Sequence, residues 1–446
     1  MSMIQANSAN QAEEALSPDP KKQSERKPRR RRIILLLLLL FLVMLVVLGG
    51  VARYTLFAPK PVVATVTWPS GKGAFALEPL SAAQIDALQH LPENLQYKKL
   101  AQIYVSHMTL DEKLGQLIMA QALTGYDTAN TADTMYMLNQ LHANGIIMYA
   151  IQMNSFKQTK ADIQNMQLHA STPLFVSADE EGGFVERIEN IFGHRPGALE
   201  TYQTGKVSNA TKLGQSITND LRSLGINTDL APDIDVLQAS SPSLYTRTWG
   251  YTPQSVIQYG GAYLRAVQGA GEVAALKHFP GLGAAKTDPH SSLPVIKSTK
   301  DQIYSVDLAP YKYFLSSSDP LNNPGMIMST DLMMPALDPT LPAELSPTII
   351  NGVLRHDLHY DGVVITDALY MDGIAKKWNL VTASIMALNA GCDILLGARG
   401  SYEVQMVING LKQALNNGTV SMSRVNEAVT RIIALKYRFH ILQIPY

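Results

Sequence analysis

Eight short apolar runs, most of them separated by stretches of helical periodicity, constrain the fold of this chain more than any other feature. The runs cover residues 117–119, 145–148, 174–177, 227–230, 273–276, 326–329, 363–366 and 394–396. The helical stretches include residues 211–224, 255–268, 349–358, 381–389 and 424–438. Strands that alternate with helices form parallel sheets, and eight such units fit one closed barrel with its helices outside. We therefore predict an α/β fold, a (β/α)8 barrel of the TIM type.

An open, doubly wound sheet is the alternative arrangement for the same alternation. The chain lacks a glycine-rich dinucleotide fingerprint, so nothing in the sequence favours it. With 46% hydrophobic and 17% charged residues, the chain can bury a large core. Its formal net charge is zero, which gives no indication of a nucleic-acid partner. The single cysteine, Cys392, lies in an apolar context, and we predict a buried core position for it.

The N-terminal region differs from the rest of the chain. Residues 1–32 are polar and end in Arg29 to Arg32, which predicts a disordered, basic cytoplasmic tail. Residues 33–52 are apolar and long enough to cross a hydrocarbon core of about 30 Å as a transmembrane helix. The basic cluster predicts that the N-terminus stays in the cytoplasm and that the bulk of the chain is extracellular. A cleaved secretory signal is the alternative, but the run is too long and lacks a clear cleavage pattern.

Two further segments follow the predicted membrane helix. Residues 53–97 are mixed in character and dotted with prolines, and we predict a stalk or linker there. Residues 98–446 form the predicted barrel domain, which we expect to act as a monomer. Near its start, Thr109 precedes Glu112 by three residues, a spacing typical of a helix capping box.

A barrel of this type carries its active site at the carboxyl ends of the strands. Charged residues follow five of the eight apolar runs: Asp179 and Glu181, Asp233 and Asp235, Lys277 and His278, Asp331, and Asp367. Surface loops are polar in any protein, so the chemistry around each group decides what it indicates.

The loop after the fifth run has the composition of a reactive site. Lys277 and His278 stand at the predicted exit of the strand, a Pro/Gly turn runs to Gly283, and Asp288 and His290 follow. A carboxylate can orient an imidazole, and an imidazole with a pKa near 6.5 can donate a proton and later accept one. Two alternatives remain open, an ordinary solvated loop and a metal site built from Asp288, His290 and His278.

Asp367 lies between an apolar strand and a second apolar segment. A carboxylate in such a place is partly removed from water, so it is either paired or used in chemistry. A nucleophile or an electrostatic partner for a cation is the functional interpretation. The alternative is the N-cap of a following helix, a position that aspartate favours.

Asp179 and Arg187 flank two glycines after the third run. Glycines let the backbone approach a ligand closely, so Asp179 can accept hydroxyl protons and Arg187 can donate to a carbonyl or hydroxyl. An acidic helix N-terminus is the alternative for this segment. Arg247 stands beside aromatic residues, a setting more typical of a surface stack than of a ligand contact.

Together these segments resemble glycoside hydrolase family 3, most closely its β-N-acetylglucosaminidase branch. Lys277 to Gly283 with Asp288-Pro289-His290 is similar to the signature KHFPGHG…DSH. The segment at Asp367 is similar to ITDAL, and Asp179 to Arg187 is similar to DQEGGRVQR. Arg247 to Gly250 is similar to RSFG, and all four follow the family's order.

The resemblance implies a role for each matching residue. Asp367 would be the nucleophile, and His290 would be the general acid/base, oriented by Asp288. The residues expected to bind the sugar of the −1 subsite are Asp179, Arg187, Arg247, Lys277 and His278. The resemblance implies a carbohydrate substrate and neither a metal nor an organic cofactor.

Several positions depart from the family pattern. Leu282 replaces a histidine, Ala284 stands where aspartate is common, and Pro289 replaces a small residue between the two catalytic side chains. Because proline fixes its φ angle, we expect Pro289 to stiffen the loop or to misplace its histidine. Glu180 and Phe184 replace Gln and Arg near the predicted sugar site.

The resemblance therefore predicts a membrane-anchored retaining β-N-acetylhexosaminidase that acts on terminal N-acetylglucosaminides of cell-wall type. A β-glucosidase, a β-xylosidase or a glycoside phosphorylase of the same family is one alternative. A sugar-binding relative without turnover is another, and the altered loop is the reason to consider it.

Overall fold

The computed structural model of the protein describes residues 85–443, apart from residues 86, 89, 124, 125, 242, 243 and 245. The predicted cytoplasmic tail, the transmembrane helix and most of the linker lie outside the described residues. Within the described part of the chain, no helix is both long enough and apolar enough to cross a membrane.

Eight parallel strands form the centre of the domain. They are β1 Ile118–Gln121, β2 Gly145–Ile147, β3 Phe175–Ala178, β4 Thr228–Asp229, β5 Val273–Phe279, β6 Met326–Ser329, β7 Val363–Thr366 and β8 Leu395–Arg399. Each strand pairs with the next along the chain from β1 to β7, and β8 pairs with β1. A parallel bridge between Ile365 and Ile394 joins β7 to the residue before β8, which closes the ring. The predicted (β/α)8 barrel is confirmed.

Helices connect the strands and cover the barrel. The α-helices are Glu93–His107, Leu110–Gln116, Ala132–Asn139, Phe156–His169, Glu189–Phe192, Ala198–Gln203, Val207–Leu224, Pro253–Gly269, Lys300–Gln302, Ala309–Leu315, Asp372–Ala375, Leu380–Ala390, Gly400–Asn416 and Met422–Arg438. Two segments, Ile303–Asp307 and Thr348–Asp357, are π-helical, and Ala150–Gln152 and Ala343–Leu345 are short 3₁₀ turns. All residues of β1 to β7 are buried, as expected for a parallel sheet covered on both faces.

Local sequence signals account for several element boundaries. Thr109 and Glu112 form the predicted capping box, in which each side chain accepts a hydrogen bond from the other's main-chain N–H. The helix Glu93–His107 begins inside the predicted linker and packs against Met422–Arg438, the last helix of the barrel. Cys392 is fully buried in the core, as predicted.

The fifth strand is longer than the sequence indicated. The apolar run predicts that the strand ends before Lys277 and His278, but β5 continues to Phe279. A parallel bridge from Asp233 to Lys277 on one side and the pairing of Phe279 with Ser329 on the other extend it. The strand therefore presents both polar side chains itself, which fixes them more firmly than a loop would.

Candidate active site

Charged side chains gather at the carboxyl ends of the strands. Asp179 directly follows β3, Asp367 directly follows β7, and Asp331 lies two residues beyond β6. Lys277 and His278 are the two residues of β5 that precede its last residue, Phe279. These groups lie at one end of the barrel, where enzymes with this architecture bind their substrates.

Lys277 lies between two carboxylates from the loop after β3. Its Nζ is 2.8 Å from Asp179 Oδ1 and 2.6 Å from Glu181 Oε1. Glu181 in turn accepts two hydrogen bonds from Arg247, at 2.8 Å from Nε and 2.7 Å from Nη2. The side chains of Lys277 and Glu181 are 2% and 4% exposed, so water screens this attraction weakly.

This network keeps its members charged. Burial alone would raise the pKa of Asp179, but the positive charges of Lys277 and Arg187 outweigh burial and lower it. Burial likewise opposes ionisation of Glu181, yet Arg247 and Lys277 hold the pKa of Glu181 below its usual range. The pKa of Lys277 is raised, because its two carboxylates outweigh the effect of burial. The site therefore offers ionised acceptors and donors to the hydroxyl groups of a ligand.

Arg187 lies at the edge of the same network. Its Nη2 is 3.7 Å from Asp179 Oδ2, and its guanidinium lies 5.8 Å from the ring centroid of Tyr149. The main-chain N–H of Arg187 donates to Glu180 Oε2 at 2.6 Å, which fixes the start of the side chain. Its Nε is buried and has no hydrogen-bond partner among the described residues.

His278 is held from both sides of its ring. Nδ1 lies 2.7 Å from Asp235 Oδ2, and Nε2 lies 3.3 Å from Arg247 Nη2. Burial lowers the pKa of His278 to about 4, despite the opposing charges of Asp233 and Asp367. A neutral ring that donates from Nδ1 and accepts at Nε2 satisfies both contacts.

Asp367 is anchored at the end of β7. Its Oδ2 accepts a hydrogen bond from Thr330 Oγ1 at 2.9 Å, and its Oδ1 accepts one from the N–H of Ala368 at 2.8 Å. The helix that follows is Asp372–Ala375, and its N-cap is Met371. The N-cap interpretation of Asp367 is therefore wrong.

Two buried carboxyl groups adjoin Asp367. Glu344 Oε2 accepts the main-chain N–H of Asp367 at 3.0 Å, and Asp331 Oδ1 lies 3.4 Å from Thr330 Oγ1. Burial and then the charge of Asp367 raise the pKa of Asp331 to about 9. Burial and these neighbours also place the pKa of Glu344 well above its usual value. Sequence reasoning missed Glu344, whose only signal is its isolation in an apolar segment.

The segment with Asp288 and His290 is a tight turn. The carbonyl of Asp288 accepts the N–H of Ser291 at 3.1 Å, which places Pro289 at the second position of the turn. Asp288 Oδ1 accepts two hydrogen bonds from His290, at 2.9 Å from the main-chain N–H and 2.8 Å from Nδ1. Proline favours this position because its φ angle is already near −65°. Pro289 is therefore compatible with the turn that holds Asp288 and His290.

This turn lies at the rim of the barrel mouth. The side chain of His290 is 69% exposed. Lys376 Nζ donates to the carbonyl of Ser291 at 3.0 Å, which ties the turn to the segment that follows Asp367. Burial tends to raise the pKa of Asp288, but its hydrogen bonds from His290 and the nearby charge of Arg247 lower it.

Leu282 and Gly283 fix the base of this loop. The N–H of Leu282 donates to Asp235 Oδ1 at 2.6 Å, so the same carboxylate holds the loop and His278. A Cβ atom on Gly283 would lie 1.8 Å from the carbonyl oxygen of Val236, so only glycine fits. The loop keeps this anchor although Leu282 replaces the family's histidine.

The metal site considered in the sequence does not form. Within the described residues, three ligand atoms approach one another in two groups: Glu186, Glu189 and His194; and Asp233, Asp235 and His278. Neither group contains Asp288 or His290. In the second group, Arg247 Nη2 lies 3.8 Å from Asp233 Oδ2, and its positive charge disfavours a cation there.

Comparison with known proteins agrees with this geometry. The family description "Glycosyl hydrolase family 3 N terminal domain" matches residues 109–435, which is most of the chain and the whole ring of strands. The chain belongs to glycosyl hydrolase family 3. The resemblance stated from its sequence motifs is confirmed.

This family 3 chain is also similar to three individual proteins. Beta-hexosaminidase LpqI of Mycobacterium tuberculosis is 32% identical over 334 residues, covering 73% of this chain and 82% of that protein. Beta-hexosaminidase A of Pseudoalteromonas piscicida is 32% identical over 331 residues, covering 67% of this chain and 54% of that protein. The chain thus spans about half the length of the second relative. A family 3 β-N-acetylglucosaminidase structure from Paenibacillus sp. has a TM-score of 0.71 at 31% identity, covering 75% and 63% of the two chains.

The structure places the predicted site residues of this family 3 chain in two groups and a rim. The first group is a connected network of Asp179, Arg187, Arg247, Lys277 and His278. Asp367 belongs to the second, beside the end of β6, and its charge acts on His278. Asp288 and His290 form the rim, and the charge of Asp288 acts on both groups.

Proposed function

We propose that this family 3 protein is a retaining β-N-acetylhexosaminidase that releases terminal N-acetylglucosamine from glycans of cell-wall type. The family assignment and the names of the similar proteins support this substrate class. The observation that carries the mechanism is the 2.8 Å hydrogen bond from His290 Nδ1 to Asp288 Oδ1. It leaves Nε2 as the nitrogen that exchanges a proton with the substrate.

The first step forms a glycosyl-enzyme. Asp367 attacks the anomeric carbon, and the bond from that carbon to the glycosidic oxygen breaks. Protonated His290 transfers its Nε2 proton to the departing oxygen. The carboxylate of Asp288 accepts the hydrogen bond from Nδ1 and orients the ring for this transfer. The histidine thereby replaces the second carboxylate of most retaining glycosidases.

The second step hydrolyses this intermediate. Neutral His290 accepts a proton from a water molecule, whose oxygen attacks the anomeric carbon while Asp367 leaves as a carboxylate. Two displacements at one carbon retain its configuration. Water is consumed, the sugar is released, and His290 is again protonated for the next cycle.

The cation–carboxylate network supplies the −1 subsite. Ionised Asp179 and charged Lys277 exchange hydrogen bonds with sugar hydroxyls, and Arg187 donates from its guanidinium. Arg247 and His278 complete the wall of the subsite. Because the residues come from loops and a strand tied together by ion pairs, the subsite is preorganised for the transition state.

We also propose that the catalytic domain is extracellular and remains attached to the membrane. The support is the sequence of residues 29–52, four arginines followed by an apolar run. Extraction of cell membranes with salt and then with detergent tests this attachment. A protein released by salt alone contradicts the anchor.

Covalent trapping tests the reaction. A 2-fluoro glycosyl donor slows the second step more than the first, so the labelled peptide identifies the nucleophile. We expect the label on Asp367 and none in the Asp367→Ala variant, which should also lack turnover. A label on another residue refutes the assignment.

Substrate choice is tested with aryl glycosides. We expect hydrolysis of the aryl N-acetyl-β-glucosaminide to exceed that of the aryl β-glucoside and β-xyloside, in water as well as in phosphate buffer. Phosphate-dependent release of a sugar phosphate would establish a phosphorylase instead. Binding of N-acetylglucosamine without hydrolysis by the wild type would establish a sugar-binding protein.

A further inference from the structure

Two carboxyl groups beside Asp367 have no part in the mechanism above. Asp331 is 1% exposed and Glu344 is fully buried. Neither forms an ion pair with a described residue, and Asp331 Oδ2 and Glu344 Oε1 are buried without hydrogen-bond partners. An ionised carboxylate without a cation is unfavourable in such a place. Both groups therefore belong in the uncharged acid form at neutral pH.

Glu344 contacts the main-chain N–H of Asp367, and Asp331 contacts the Thr330 hydroxyl that binds the Asp367 carboxylate. Glu344 Oε2 accepts the N–H of Asp367 at 3.0 Å, a proton that is shared with the carbonyl of Ser329 at 2.7 Å. Thr330 Oγ1 lies 2.9 Å from Asp367 Oδ2 and 3.4 Å from Asp331 Oδ1. The Thr330 hydroxyl has a single proton to donate, and two carboxyl groups lie within its reach.

We propose that Asp331 and Glu344, in their uncharged forms, are positioning residues for Asp367, an inference that rests on the proposed function. The anionic Asp367 is a stronger acceptor than an uncharged Asp331, so the proton of Thr330 stays with Asp367. Ionisation of Asp331 would create a competitor for that proton and a charge that repels Asp367. Glu344 limits movement of the main chain that carries Asp367.

The surroundings of Asp331 indicate the pH at which this competition for the Thr330 proton begins. Carboxyl groups face it from three elements: Asp367 after β7, Glu344 in the loop after β6, and Asp288 on the rim. Gly373 packs against its Oδ2, where a Cβ would lie only 1.9 Å away, so the group has no room to turn aside. Burial and the charges of Asp367 and Asp288 raise the pKa of Asp331 to about 9, so positioning fails only in alkaline solution.

The first test is the rate of glycosyl-enzyme formation against pH. An activated aryl N-acetylglucosaminide is used, because its leaving group needs no proton. Proton donation by His290 then does not limit the rate at high pH. We expect the wild-type rate to fall up to about tenfold per pH unit above pH 9, and Asp331→Asn to show no such fall. An equal alkaline fall in Asp331→Asn overturns the proposal.

A buried carboxyl at the other end of the barrel provides the matched control. Glu272 directly precedes β5, is fully buried, and has two oxygens without hydrogen-bond partners in the part of the chain that the structure describes. Glu272→Gln replaces a buried carboxyl group by an amide of similar size, as Asp331→Asn does. We expect Glu272→Gln to keep the wild-type alkaline fall.

The second test concerns Glu344. Glu344→Leu removes the acceptor, and we expect kcat to fall about tenfold with little change in KM. Glu344→Gln keeps an oxygen acceptor and should retain at least fivefold more of kcat than the leucine variant. Equal kcat values in the two variants overturn the positioning role. If Glu344→Leu does not fold, the pH profile of Asp331→Asn still decides the proposal.

Infrared spectra separate this inference from the proposed function. Protonated carboxyl groups absorb at a different infrared frequency from carboxylates. We expect two bands of protonated carboxyl groups at pH 7, one that disappears in Asp331→Asn and one that disappears in Glu344→Gln. Their absence overturns the inference even in an active enzyme that labels on Asp367. A wild type without turnover or label overturns the proposed function, and this inference with it.

Discussion

Arg247 and Glu181 form an ion pair with two hydrogen bonds beneath the barrel mouth, Nε to Oε2 at 2.8 Å and Nη2 to Oε1 at 2.7 Å. The sequence resemblance assigned Arg247 to the sugar and gave Glu181 no role. The structure gives the arginine a carboxylate partner that fixes the plane of its guanidinium. Arg247 is therefore an oriented, paired cation rather than an isolated one.

We predict that Glu181→Gln lowers the free energy of unfolding by about 3–5 kcal/mol, because Arg247 and Lys277 then lose a buried counter-charge. Denaturant unfolding measures this change. The control is Asp372→Asn, which breaks an exposed pair with Lys376 and should change stability by less than about 1 kcal/mol. Similar effects in the two variants would contradict the importance of burial.

We predict that His290→Ala lowers kcat/KM about 10²–10⁴-fold on a disaccharide, whose leaving group needs a proton. Formation of the glycosyl-enzyme from an activated aryl glycoside should change far less. Asp288→Asn should show the same pattern at smaller size, since it removes only the group that orients the histidine. Steady-state and burst kinetics on the two substrate types measure this difference.

The chain offers a matched control for that pair. His356 and Asp357 form an exposed contact with Nδ1 to Oδ1 at 2.9 Å, like the one between His290 and Asp288. They lie on the connection into β7, away from the mouth. His356→Ala should leave both kinetic measurements unchanged. A loss in this variant would show that histidine removal acts through stability.

We predict that His278 stays neutral through the physiological range. Burial lowers the pKa of His278 to about 4, against about 6.5 in an unfolded chain. The unfolded state therefore binds more protons between pH 4 and 6.5, and the His278 contribution to stability falls as the pH is lowered through that window. Imidazole NMR signals of His278, assigned with a His278→Asn variant, should not shift between pH 8 and 5. A titration centred above pH 6 would contradict this.

The strand pattern was predictable because parallel strands are buried on both faces and appear as apolar runs. Runs 326–329 and 363–366 coincide with β6 and β7, and the other predicted strands differ at one or both ends. The run at β5 stopped at Leu276 because the next residues, Lys277 and His278, are polar. Charge partners across the barrel, which no local pattern shows, allow that strand to continue.

The site was predictable only where a motif named the residue. Asp179, Lys277 and His278 stand in motifs and belong to the network that the structure contains. Glu181 stands in a motif too, but its pairing with Arg247 joins residues 66 positions apart. Glu344 contacts Asp367 through the main chain, and a contact of that kind imposes no residue pattern on the sequence.

We predict that Gly283→Ala destabilises the loop and raises KM. The added Cβ would lie 1.8 Å from the carbonyl oxygen of Val236, and a main-chain atom cannot move aside as a side chain can. Such overpacking costs about 1–3 kcal/mol, which thermal unfolding measures. The control is Gly269→Ala at a helix end, where the added atom meets only Leu321 Cδ1 at 3.6 Å.

The effect of Gly283→Ala on KM follows from the hydrogen bonds next to it. Displacement of the loop lengthens the 2.6 Å bond from the N–H of Leu282 to Asp235, and Asp235 also holds His278. A loosened His278 should raise KM for the N-acetylglucosaminide, because the proposed −1 subsite loses a fixed wall. A variant that is destabilised but keeps the wild-type KM would show that the loop anchor and the sugar site are independent.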